Sequence, residues 1–122
     1  MFRQERGSCQ TMSYDNENIF AKILRGEIPC DKIYEDEYIL SFKDINPQAK
    51  MHVLIIPKDS YIDIADFLQN ANAQYQTNFW VSVNTIIDYL DLRNRGFQIK
   101  THKGKDGGQE VFHFHLHLLS NI

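Results

Sequence analysis

An α+β fold is predicted from the element order αβββαββ along the 122 residues, and three patterns anchor it. Near the end, His113-Phe114-His115-Leu116-His117-Leu118-Leu119 alternates strictly. That is the period-two signature of a strand with imidazoles on one face and Phe112, Phe114, Leu116 and Leu118 on the other. In the middle, His52-Val53-Leu54-Ile55-Ile56 is a β-branched run stopped by Pro57. Between the two, Phe79, Val83, Ile86, Ile87 and Leu90 recur at helical spacing.

The remaining elements follow in order. From Asn16 to Arg25 the residues Ile19, Phe20, Ile23 and Leu24 form a helical stripe, with Asp15 or Asn16 as N-cap and Gly26 as terminator. Pro29 opens an extended region, where Lys32 to Tyr34 and Tyr38 to Lys43 flank Glu35-Asp36-Glu37 as a hairpin. Asn46-Pro47-Gln48 is a second turn, leading into the strand from His52. Ile62 to Leu92 reads as helix, closing before Arg95-Gly96, with polar Gln69 to Gln76 separating a short leading turn from a main helix that begins near Ala73. Phe97 to Thr101 is a fourth strand, Gly104 to Gly108 a glycine-rich turn, and Glu110 to Leu119 the histidine strand.

Composition narrows the class. With 43% hydrophobic and 24% charged residues the chain has the makeup of a soluble globular domain, and no stretch approaches the roughly 18 apolar residues of a membrane span. A net charge of −3 argues against a nucleic-acid partner, because phosphate backbones are gripped by clustered Lys and Arg; a single nucleotide stays possible. Cys9 and Cys30 belong to no CxxC pair, and no apolar secretory signal is visible, so a reducing cytoplasm is the expected setting. Residues 1–14 read as a loose extension, since the first eleven are polar and aperiodic, and residues 15–122 as one domain.

The histidines carry the chemistry. Three of the five, His113, His115 and His117, lie within five residues, and side chains at i and i+2 of a strand stand roughly 7 Å apart. That row suits a phosphate or a pocket lining, whereas a metal needs the sheet to curl and a further ligand such as His52, His102 or Glu110. A third reading is three solvated histidines on an edge strand. Just before the row, the glycines of Gly104-Lys105-Asp106-Gly107-Gly108-Gln109-Glu110 permit positive φ values that turn N–H groups toward an anion, or simply close a hairpin. Such donors beside imidazoles pair an oxyanion clamp with a nucleophile and an acid, as phosphoryl chemistry requires.

These motifs resemble the histidine triad family, and within it the nucleoside phosphoramidate hydrolases. The resemblance is carried by the histidine row with Gly108-Gln109-Glu110-Val111-Phe112 before it, and by Phe42-Lys43-Asp44-Ile45-Asn46-Pro47-Gln48-Ala49 followed by His52-Val53-Leu54-Ile55-Ile56-Pro57-Lys58. Ile19-Phe20-Ala21-Lys22-Ile23 and Gly26-Glu27-Ile28-Pro29 stand upstream in the matching order, so the likeness runs from about Asn18 to Leu119. It implies a five-stranded antiparallel sheet with a short N-terminal and a long helix, a homodimer joined through its sheets, and a purine nucleotide pocket. It also implies cleavage of AMP-amine or AMP-lysine conjugates at the α-phosphate with no metal or other cofactor.

Carried over by position, the resemblance makes His115 the nucleophile that forms a nucleotidyl-histidine. His113 and His117 then orient it and contact phosphate oxygens, and His52 supports them. Asp44 holds the ribose hydroxyls; Ile19, Phe20, Ile23, Ile28, Phe42 and Ile45 wall the base; and Gly108, Gln109, Glu110 and Val111 form the phosphate loop. Crowded imidazoles cannot all be protonated, which keeps a neutral nucleophile available. Three departures stand out. His102 replaces an asparagine near the phosphate, the zinc-binding CxxC of some bacterial relatives is Asn18-Ile19-Phe20-Ala21 here, and the chain stops at Ser120-Asn121-Ile122 without the tail that shapes the leaving-group side in many members.

Overall fold

The computed structural model describes residues 13–122; the expectation for residues 1–12 lies outside the described residues. The first helix, α1, spans Ile19–Leu24, starting at the first residue of the apolar stripe and three residues after Asn16. Its cap is Asn18, whose side chain accepts the Ala21 N–H at 2.9 Å. Asp15 is spent one turn earlier, its carboxylate accepting the Glu17 N–H and its carbonyl the Asn18 N–H. Gly26 closes the helix at φ +78°, letting the Gly26 and Glu27 amides reach back to the carbonyls of Ile23 and Lys22.

Five strands follow: β1 Lys32–Glu35, β2 Ile39–Lys43, β3 Met51–Pro57, β4 Gln98–Lys100 and β5 Leu116–Ser120. They form one sheet in the order β1-β2-β3-β5-β4, and every neighbouring pair is antiparallel. The β1–β2 turn is organised by Asp36, whose carboxylate accepts from the Tyr38 and Ile39 amides and from the hydroxyls of Tyr34 and Ser82. The helical region divides into α2 Ile64–Asn70 and α3 Ala73–Tyr89, capped by the side chains of Asp63 and Asn72. The leading segment is thus a helix of about two turns rather than a single turn.

The strand alternation decides which face each side chain meets. Val53 and Ile55 join Phe67, Phe79, Val83, Ile86, Phe114, Leu116 and Leu118 beneath α2 and α3, while Leu54 and Ile56 join Phe20, Leu40 and Phe42 on the α1 side. β3 is therefore buried on both faces, which accounts for its unbroken apolar run. No helix of the described residues is long and apolar enough to cross a membrane.

The histidine strand is shorter than the alternation predicts: β5 begins only at Leu116. The backbone upstream is taken by other partners. The Phe114 N–H donates to the Tyr61 carbonyl, the His113 carbonyl accepts from the His115 ring, and the His115 carbonyl accepts from the Thr101 hydroxyl. The alternation of faces nevertheless continues through Phe114, which is fully buried in the helix-covered core, and stops before Phe112, which stays half-buried. β4 likewise covers only part of Phe97 to Thr101, and as an edge strand all three of its residues are exposed.

Candidate active site

On the α1 side of the sheet lies a cavity of about 620 Å³. Ile19, Phe20 and Ile23 of α1, Ile28 after it, and Phe42 at the end of β2 supply apolar wall; Asp44, Ile45, His102, Gly108, Glu110, Val111, His115 and His117 complete much of the lining. Pro29, Cys30, Asp31, Lys43, Gln48 and Leu54 also line it, and sequence reasoning did not single them out for the site. Leu54 carries no signal that separates it from core, because its strand is apolar on both faces. Ile45 is 88% exposed and so stands at the mouth.

The hydrogen bonds fix the tautomers of His52, His113, His115 and His117. At His52 the Gln48 N–H donates to Nδ1 at 3.0 Å, so the proton of the neutral ring sits on Nε2. That nitrogen is 3.0 Å from His117 Nδ1 and 3.4 Å from Asp44 Oδ2. His117 therefore accepts at Nδ1 and carries its own proton on Nε2 as a donor. His115 donates from Nδ1 to the His113 carbonyl at 2.7 Å, which leaves a bare lone pair on Nε2. The Phe20 ring stands edge-on to His115, 4.9 Å between centroids. His102 completes a cluster, its ring 5.3 Å from that of His117.

Burial favours the neutral form of His52, His113, His115 and His117. Desolvation is the leading cause at each: it pushes His113 and His117 down to about 4 and lowers His52 and His115. For His117 the neighbouring His115, His52 and His102 add repulsion. At His52 the pull of Asp44 is weaker than burial, so the 3.4 Å contact is the approach of a carboxylate to a neutral ring rather than an ion pair.

Three of the expected site residues stand behind the cavity wall instead of on it. His113 is fully buried, donating from Nε2 to the Pro57 carbonyl at 2.9 Å and accepting at Nδ1 from Tyr14 Oη at 2.5 Å, so neither ring nitrogen is left for a phosphate. His52 is buried against His117. Gln109 is buried and fastens the loop: its Oε1 accepts the Gly104 N–H at 2.7 Å, while its Nε2 donates to the carbonyls of Ile62 and Val111.

The glycine-rich turn also differs from a simple nest. Gly104 and Gly108 take positive φ, but the amides of Gly107, Gly108 and Gln109 bond inside the turn to the carbonyls of Gly104 and Lys105. Those three amides are therefore spent within the turn and are not free for an anion.

The geometry also bears on a metal. With both nitrogens of His113 and Nδ1 of His115 engaged, the row does not offer three lone pairs to one ion. Asp44, His52 and His117 do bring one donor atom each within 4.8 Å of one another. The Gln48 amide, however, holds the His52 proton on Nε2, in the space an ion would need. Binding there would require His52 to surrender that amide bond or become an imidazolate.

Comparison with known proteins agrees with the architecture. A family model described as HIT domain matches residues 25–121. An uncharacterised HIT-like protein of Rickettsia prowazekii is 42% identical over 106 residues, 87% of this chain and 88% of that one. The purine nucleoside phosphoramidase of Escherichia coli is 36% identical over 104 residues, 84% of this chain and 86% of its own. A crystal structure of a HIT family hydrolase from Legionella pneumophila superposes with a TM-score of 0.79 at 37% identity, covering 87% of this chain and 94% of that one.

Proposed function

Because the chain belongs to the HIT-domain family, we propose that it hydrolyses purine nucleoside 5′-phosphoramidates, of AMP-amine or AMP-lysine type, through a nucleotidyl-histidine and without a metal. The observation that carries this reading is the tautomer of His115. Its Nδ1–H is committed to the His113 carbonyl, so Nε2 faces the reaction as a neutral nucleophile from the wall of an apolar cavity.

The steps follow from the donors around it. The base lies against Ile19, Phe20, Ile23, Ile28, Phe42 and Ile45, and the ribose hydroxyls donate to Asp44. His115 Nε2 attacks the α-phosphorus and the P–N bond to the leaving amine breaks, the amine taking a proton from His102 or Glu110 at the wall. His117 Nε2–H and the amides after Gln109 stabilise the phosphoryl oxygens as charge develops. Water then attacks the nucleotidyl-histidine, its proton returning to the group that protonated the amine, which releases the nucleoside monophosphate and restores the free imidazole. His113 and His52 act from behind, through the carbonyl of one and the ring proton of the other. A homodimer is the assembly we propose, with the exposed β4 edge as the place where a second sheet would add.

The test is hydrolysis of adenosine 5′-phosphoramidate in EDTA. Wild-type turnover is expected, with a loss of about 10⁴-fold or more in His115→Ala while AMP binding survives. AMP binding with no wild-type turnover would make the cavity a binding site only, and turnover lost to EDTA would overturn the metal-free step.

A further inference from the structure

We infer that Tyr14 is a positioning residue for the histidine row, locking His113 in the one tautomer and orientation that aim its carbonyl at His115. Tyr14 precedes the residues that match the family model, and it belongs to the segment that sequence alone assigned to a loose extension. The structure ties Tyr14 down through the residues that follow it. The Asp15 turn holds the chain back against the start of α1, and the Arg25 guanidinium at the far end of the helix donates to the Asn16 carbonyl at 2.8 Å.

From that anchor the Tyr14 ring meets His113 edge-on at 5.6 Å, and its hydroxyl fills His113 Nδ1. Phe20 approaches the same imidazole edge-on at 6.3 Å. The opposite ring nitrogen is held by the Pro57 carbonyl. A fully buried ring with both nitrogens satisfied cannot flip or exchange tautomers without breaking two hydrogen bonds in a dry environment. Its carbonyl in turn accepts His115 Nδ1–H, so the order of bonds runs from Tyr14 Oη through His113 to the bare Nε2 of His115.

Removing the phenol hydroxyl leaves a buried lone pair on His113 Nδ1. The ring then meets it by turning, by admitting water or by taking up a proton. Turning disturbs the carbonyl that holds His115, and a proton places positive charge beside the nucleophile.

The experiment is ¹⁵N NMR of the imidazoles of the full chain without substrate, for wild type and Tyr14→Phe, alongside turnover and AMP affinity. The activity arm rests on the function proposed above; the spectroscopic arm does not. In wild type, His113 is expected to show a protonated Nε2 and a hydrogen-bond-accepting Nδ1. In Tyr14→Phe the Nδ1 resonance is expected to move, with kcat reduced by about tenfold and KM and AMP affinity unchanged. A wild-type His113 protonated on Nδ1 would overturn the inference without any variant, even were Tyr14→Phe not to fold. So would an unmoved Nδ1 signal, an unchanged kcat, or a loss confined to KM. If the wild type proves inactive, the functional reading fails while the His113 spectrum still decides the role of Tyr14.

Discussion

The two faces of one sheet have different covers. Beneath α2 and α3, side chains from β2, β3, β5 and both helices meet in an apolar core, including Phe67, Phe79 and Phe114, each with no exposed surface. On the opposite face, Leu40, Phe42, Leu54 and Ile56 offer a similar apolar floor, but α1 has only six residues to lay over it. The cavity opens where that short helix runs out, and the imidazoles of His115 and His117 stand at its wall. The same alternation thus feeds core residues to one side and reactive residues to the other; the length of the covering helix separates packing from chemistry.

The largest effect that sharpens this comparison is on stability. Phe114→Ala should cost about 3–5 kcal/mol, because its ring stacks on Phe67 at 4.9 Å between centroids and the surrounding core has no room to collapse. Phe20→Ala, on the other face, should cost roughly 2 kcal/mol, since the void it leaves merges with an existing cavity, and it should weaken AMP binding as well. Urea unfolding of both variants beside an AMP titration checks the pair. Equal losses would mean that the two faces are packed alike.

A second effect comes from pH. His113 is held at about 4 in the folded chain against 6.5 for an ordinary imidazole, so between those values the unfolded chain binds a proton that the folded one refuses. Stability therefore rises with pH across this window. The His113 contribution is present in full above pH 6.5, is progressively lost on acidification, and is gone below about pH 4, amounting to about 3 kcal/mol over the range. Unfolding free energies at pH 7 and pH 5 should differ less in His113→Gln than in wild type by about 2 kcal/mol. An unchanged difference would show that the core imidazole does not govern the acid limb.

How far the sequence reveals all this depends on the range of the interaction involved. Strand alternation told which side Phe114, Leu116 and Leu118 would face, and the resemblance carried Phe20, Asp44, His115 and His117 to positions that do line one cavity. The fate of His113 was not legible, because it turns on a carbonyl 56 residues away and a phenol 99 residues away, and neither Pro57 nor Tyr14 has a periodicity that marks it. Gln109 read as a phosphate contact for the opposite reason: its place in a motif was visible, while the Ile62 carbonyl that turns its amide inward lies in a distant segment. The short β5 has the same origin, since backbone groups captured by Tyr61 and Thr101 leave no trace in an alternating pattern.

The smallest predicted effect probes the helix-covered face for a flaw. Ser41 lies on β2 opposite Ile55, fully buried, and its hydroxyl has no hydrogen-bond partner among the described residues. A hydroxyl desolvated without compensation works against folding, so Ser41→Ala is expected to leave stability unchanged or raise it by up to about 1 kcal/mol. Were it instead to destabilise the chain by more than that, the hydroxyl would have to find an acceptor in solution, and the face that looks dry would have to admit a water. The cavity side offers the control: His117→Ala deprives the His52 ring proton of its acceptor, so it should be the costlier change, although His117 is the less buried of the two residues.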